Sequence, residues 1–350
     1  MYRVSVIMPV YNNEETLEIA VESILNQTMP GIELILINDG STDRSAQICD
    51  TYAKKEPLLV EVIHQKHQGI SSAFNVGLLK SSGKYVYFAN PNDEFDRRLL
   101  EANVNLAQEK DADVVIFGFS TLKNDYSQEV DYHLPRMPLI TSQYEFRNHF
   151  RNFYHFYPFE IFNKMYKRDY LFKNRLTFQR YSSLGEHFFN LKVFINLGSV
   201  VFNRGMYLQR SYANSTAPKS VDNHFDMHRI FIQEFYKMIE YWGYEIEYFD
   251  LLAEETYQLV YSELRKVTGK FSSLTYEEQI RHMTFILNHE DIKSNVEYFS
   301  LLKDKSTINR VLLKQFRRRN GKGAVDSFTR KNDTEVLTGK MKTFLRKLLD

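Results

Sequence analysis

The chain has 350 residues, 43% hydrophobic and 25% charged, enough for two domains and too apolar for a disordered tail. Its formal net charge is +1, so bulk charge offers nothing to nucleic acid, and any basic surface is local. The single cysteine, Cys49, excludes an internal disulfide and a cysteine-built metal site, and fits a reducing compartment.

A strand pattern begins at Val4, without the basic start, apolar stretch and cleavage site of a secretory signal. No apolar run approaches the roughly 20 residues that span a bilayer. Near-continuous apolar runs at 4–8, 32–37, 58–63, 85–89 and 114–119 read as buried parallel strands. The spacing of Leu17, Ala20, Val21, Ile24 and Leu25 predicts a helix over 14–26, with Asn12 and Glu15 resembling a capping box. Further helices are predicted at 41–55 and 71–80. This alternation gives an α/β fold, a mostly parallel sheet with helices on both faces. Ligands of such sheets bind beyond the carboxyl ends of the strands, here the loops 9–13, 38–43, 65–69 and 90–93. From 121 to 220 the pattern turns irregular and aromatic, with one helix at 186–195 and strand character at 200–208. Beyond 221 it is helical: Met227, Phe231, Phe235 and Met238 share one stripe, and Leu252, Leu259, Val260, Leu264 and Val267 another. Residues 321–326 read as a linker.

The strongest local motif is Asn38-Asp39-Gly40-Ser41-Thr42-Asp43, leaving a strand and opening a helix. Gly40 permits a tight turn, Ser41 can cap the helix, and Asp39 can accept hydrogen bonds from a base or ribose hydroxyl. Taken alone, this is also an ordinary polar turn. It is one of four segments in order: VSVIMPVYNN (4–13), SILNQT (23–28), NDGSTD (38–43) and QGISSAFNVG (68–77). Together they resemble the N-terminal half of glycosyltransferase family 2, strongly over 3–119 and loosely to 212. The resemblance implies a GT-A fold over 1–220, a helical region for assembly or membrane association over 221–350, and inverting sugar transfer from a nucleoside diphosphate. It puts Pro9, Tyr11, Asp39, Gly69 and Asn75 in the nucleotide pocket.

Two departures stand out. The family's Asp-x-Asp becomes Asn90-Pro91-Asn92, followed by Asp93, and its frequent diphosphate-side arginine becomes Phe74. Mg²⁺ or Mn²⁺ favours anionic oxygen ligands, so of the expected diphosphate–metal residues Asn90, Asn92 and Asp93 either Asp93 takes over, or the metal binds mainly through the diphosphate. The alternative for Asn-Pro-Asn is a plain surface turn. An inverting displacement needs a base. The stretch Gly185-Glu186-His187-Phe188-Phe189-Asn190 resembles the family's base segment and nominates Glu186, with His187 as the alternative. For both, an exposed first helical turn is the bland reading. Phe162 and Lys164, in Phe-Asn-Lys, correspond to the acceptor side. His64 and His67 read as loop residues near the diphosphate.

At the far end Leu337, Met341, Phe344, Leu345 and Leu348 share a helical face flanked by Lys340, Lys342, Arg346 and Lys347. Such a helix lies on an anionic membrane or docks on a protein surface. The expectation is an enzyme that is cytoplasmic or peripheral to the inner face of the membrane. It takes a UDP-sugar and a glycan or lipid-linked acceptor, binds no nucleic acid, and is a candidate homo-oligomer. The alternative is a nucleotide-sugar-binding member without turnover that regulates a partner.

Overall fold

The computed structural model describes residues 2–122, 129–156, 158–179, 184–211, 224–269, 272–302 and 309–329. The chain divides into two compact units, Met1–Asn223 and His224–Asp350.

The first unit alternates β1 (Val4–Val10), α1 (Leu17–Leu25), β2 (Ile32–Asn38), α2 (Ser45–Lys55), β3 (Val60–His64), α3 (Ile70–Lys80) and β4 (Tyr85–Phe88). There follow β5 (Glu94–Phe95), α4 (Leu99–Glu109), β6 (Val114–Leu122), β7 (Glu129–Tyr132), α5 (Gln143–Phe153), β8 (Lys164–Lys167), α6 (Arg168–Lys173), α7 (Gly185–Ile195) and β9 (Val200–Ser211). One sheet runs β3-β2-β1-β4-β8-β6-β9-β5, with β7 on β6. The pairings β1·β2, β1·β4, β2·β3 and β6·β9 are parallel. The short strand β8 runs antiparallel between β4 and β6, and β5 and β7 are also antiparallel to their neighbours. All seven residues of β1 are buried, as a central strand covered on both faces requires. Helix α3 lies close on it: a Cβ at Gly77 would sit 2.2 Å from Ile7 Cγ2.

Four sequence expectations shift. Helix α1 begins at Leu17 behind Thr16, not at 14, and Asn12 does not cap it. Asn12 instead takes φ 52°, and its Oδ1 accepts the Thr42 N–H at 2.8 Å, tying two loops together. Helix α2 starts at Ser45, so Ser41 does not cap it; the Ser41 hydroxyl accepts the Asn12 N–H at 3.2 Å. The aromatic stretch hides helix α5, whose Phe146, Phe150 and Phe153 are buried. Residues 321–329 are helical, with Ala324 and Val325 fully buried, so 321–326 is no linker.

In the second unit α8 (His224–Trp242), α9 (Glu245–Thr268), α10 (Tyr276–Asn288), α11 (Glu290–Val296) and α12 (Arg310–Arg317) surround the expected stripes. Phe231, Phe235 and Met238 on α8, and Leu252, Leu259, Val260, Leu264 and Val267 on α9, are buried. A capping box of Thr275 and Glu278 opens α10. Among the described residues no helix is long and apolar enough to cross a membrane. The basic face at 337–348 lies outside the described residues.

Candidate active site

The carboxyl ends of β1, β2 and β4 deliver the site's loops. Asp39 follows β2 and is 2% exposed, yet its charge is fully engaged. Its carboxylate accepts from Gln65 Nε2 (2.5 Å), the Gln68 N–H (2.9 Å) and the Gly69 N–H (2.8 Å), and His67 Nδ1 lies 2.9 Å away. Three donors on one carboxylate, with His67 beside it, fix the β3–α3 loop. Two glycines make this possible. Gly69 takes φ 87° and Gly40 φ 73°, and a Cβ on Gly40 would press to 2.8 Å from the His67 nitrogen. Tyr11, from the β1 loop, stacks on His67 with ring centroids 4.1 Å apart. His64, exposed at the end of β3, bridges Asn38 (2.9 Å) and Asp50 (3.0 Å). Pro9 is buried in β1. Asn75 engages both amide atoms with the backbone of Phe178, each at 2.8 Å, so its role in the structure is to tie α3 to that segment.

The loop after β4 separates the two amides from the acid. Asn90 Oδ1 accepts the Asn92 N–H (2.9 Å), and Asn92 Oδ1 accepts from Asn13 Nδ2 (3.1 Å) and Thr16 Oγ1 (2.7 Å). Both amide oxygens therefore act as turn and loop staples. Asp93 is 2% exposed, and Arg210 at the end of β9 brings its Nε to 3.7 Å from Oδ2. Among the described residues no three His, Cys, Asp or Glu side chains gather to hold a metal ion.

Phe74 sits in an aromatic cluster. It is fully buried, stacks on Phe178 at 4.9 Å and meets Phe88 edge-on at 5.1 Å. The position that often carries arginine in the family is here part of the core.

Glu186 is in the first turn of α7, next to a group of buried charges. Asn190, one turn on, donates to the carbonyls of Phe159 (2.9 Å) and Glu160 (3.0 Å) and accepts from the Tyr166 hydroxyl (2.8 Å). That staple brings Glu160 towards α7. Lys164, fully buried at the start of β8, donates to the Glu160 carbonyl and to Asn163 Oδ1 (2.7 Å). Arg210 reaches Glu160 Oε2 at 3.4 Å and lies over the Phe162 ring at 4.8 Å. The Asn163 Nδ2 is buried without a hydrogen-bond partner among the described residues.

These neighbours set the protonation states. Glu186 keeps some exposed surface, but burial of its carboxyl and then the charge of Glu160 push it well above the usual carboxylate range. Burial brings the Lys164 ammonium down to about 7. A carboxyl raised in this way is a stronger base when ionised, as proton abstraction from a hydroxyl requires. His187, the alternative base, lies against Phe159 with ring centroids 6.2 Å apart.

The two halves of the site are contiguous. Gly69 donates to Asp39, and two residues later Ser71 Oγ lies 2.5 Å from where a Cβ on Gly185 would sit. Only a glycine lets α7 approach the start of α3 this closely. Sequence reasoning missed Glu160 and Arg210. Their signals were a lone acid inside an aromatic run and an arginine ending an apolar strand pattern.

The family model for glycosyl transferase family 2 matches residues 5–173. EpsJ of Bacillus subtilis, an uncharacterized glycosyltransferase, is 31% identical over 219 residues, 61% of this chain and 62% of that protein. GlyG, a glycosyltransferase of Streptococcus pneumoniae, is 40% identical over 114 residues, 32% of this chain and 38% of that one. The chain thus spans less than two thirds of the length of these relatives. Residues 1–349 of S. aureus TarS, solved in complex with UDP-GlcNAc, superpose with a TM-score of 0.68 at 18% identity, over 94% of this chain and 92% of that one. The likeness is one of fold, the GT-A architecture of a mixed α/β sheet. The stretch from residue 5 to residue 173 is therefore a glycosyl transferase family 2 domain.

Proposed function

We propose that the protein transfers a sugar from a nucleoside diphosphate sugar to a hydroxyl of a cell-envelope or capsular glycan, with inversion at the anomeric carbon. One observation carries the reading. The helix that follows the Asp39-organised loop packs at Ser71 against Gly185, the residue before the raised carboxyl of Glu186. UDP is the favoured nucleotide, in line with the UDP-GlcNAc held by TarS.

In this reading Tyr11 and His67 offer a stacked ring edge to the base, and Gly69 gives the backbone room to approach it. Glu186 takes the proton of the acceptor hydroxyl. The oxygen attacks the anomeric carbon, the bond to the diphosphate breaks, and its electron pair remains on the departing phosphate oxygen. Arg210 and Lys164 supply positive charge beside the carboxylates. Asp93 is the carboxylate that would hold a Mg²⁺ or Mn²⁺ ion beside the diphosphate. The ion would neutralise charge on the leaving group. The basic face at 337–348 favours work at the inner membrane surface on a lipid-linked acceptor, and assembly into a homo-oligomer is consistent with the helical unit. A second reading, nucleotide-sugar binding without turnover, draws support from the engaged amides of Asn90 and Asn92.

NMR analysis of the anomeric product from UDP-GlcNAc and related UDP-sugars with Mn²⁺ tests the proposal. An α-linked donor gives a β-configured product. Retained configuration overturns the mechanism, and binding with no turnover favours the second reading.

A further inference from the structure

The second unit contains a cavity of about 530 Å³ between α8, α9 and α11, within the range of about 300–1,000 Å³ common to small-ligand sites. Its chemistry is mixed. Phe249 and Tyr298 lie flat against each other, centroids 4.5 Å apart and planes 7° from parallel, and Tyr236 stands 39% exposed at the edge. Two amides enter the same wall. Gln233 donates to Asp291 at 2.9 Å and Asn295 donates to Thr256 at 3.2 Å. Each bond uses only the NH₂ end, so both amide oxygens keep acceptor capacity, as do the hydroxyls of Tyr236 and Tyr298.

Charge narrows the ligand class. The lining cations Arg229 and Lys237 are matched by the lining acids Asp291 and Glu240. Arg229 pairs with Asp291 at 2.6 Å, and Lys237 with Glu234 at 2.7 Å. Both lining cations are thus paired, and Glu240 adds an acid to the wall, so nothing selects a phosphate or a carboxylate. A docking helix would want a continuous apolar stripe, and the amides interrupt one. Aromatic edges for C–H faces, interleaved with uncharged acceptors and hydroxyls, match a neutral saccharide.

We infer that this cavity is a glycan subsite that holds a neutral oligosaccharide, built from residues of the second unit alone. The inference stands on the cavity alone and goes beyond the reaction proposed for the first unit. Such a second grip would raise the effective concentration of a polymeric acceptor.

The test is titration of the full chain, with excess UDP, by chitotetraose and by maltotetraose, against tetragalacturonate as the anionic control. Calorimetry or saturation-transfer NMR supplies the readout. At least one neutral tetramer binds saturably, and Gln233→Ala and Tyr236→Ala each weaken it at least tenfold while keeping the wild-type melting curve. Glu186→Gln leaves this binding unchanged. Absence of saturable binding by both neutral tetramers, preference for the anionic one, or equal binding by the two variants overturns the inference. Tetramer binding by a chain that turns over no nucleotide sugar would sink the transferase proposal and leave this one standing.

Discussion

Glu186, the proposed base, is tuned by its neighbours. The carboxyl is raised first by burial and then by Glu160, while Arg210 pulls it down. As a base it acts only when ionised, so turnover rises with pH through a value above the ordinary carboxylate range. Glu160→Gln removes a negative neighbour, lowers that pKa and moves the ascending limb to lower pH. Arg210→Gln removes a positive neighbour and moves it to higher pH. A pH–kcat profile of the three proteins checks both directions, and coincident limbs would contradict the assignment of Glu186. Gly40 makes a different residue-scale demand. At φ 73°, with the His67 nitrogen 2.8 Å from any added Cβ, Gly40→Ala must displace the loop that surrounds Asp39. UDP affinity falls about tenfold or more by calorimetry, with the melting temperature lowered only modestly.

Elements set these contacts by how closely they pack. Helix α3 lies against β1 because Gly77 offers no Cβ to Ile7. Gly77→Ala overpacks the contact and costs about 1–3 kcal/mol by urea denaturation. Restoring the family's arginine is costlier. Phe74→Arg places a charge among Phe88 and Phe178, and the expected loss is about 3–5 kcal/mol, with no gain in turnover. A stable, faster Phe74→Arg enzyme would mean that the position faces the diphosphate after all.

Legibility follows from the same packing. The strands β1, β2 and β4 were readable because burial on both faces makes them continuous apolar runs. Strand β8 was not, since its four residues begin with a buried lysine. Helix α5 was hidden in a run so aromatic that its helical spacing did not show. Likewise Asp39, Asp93 and Glu186 sit in motifs with local spacing. Glu160 and Arg210 meet at 3.4 Å across fifty positions of sequence, joined by a staple from Asn190 that no local pattern records. Asn75 shows the opposite case: its motif is local, but its amide bonds Phe178, over a hundred positions away.

At the scale of the molecule, the first unit carries the Asp39 loop, Asp93 and the start of α7 on one sheet, and the second is helical with its own cavity. The central claim is that nucleotide recognition and proton abstraction belong to separate residues of one crevice. Measuring UDP affinity and the turnover of a UDP-sugar on the same preparations of wild type, Asp39→Asn and Glu186→Gln tests it most directly. The account predicts that Glu186→Gln binds UDP within about twofold of wild type and loses at least 10²-fold in kcat, while Asp39→Asn loses affinity. Wild-type turnover by Glu186→Gln would contradict it.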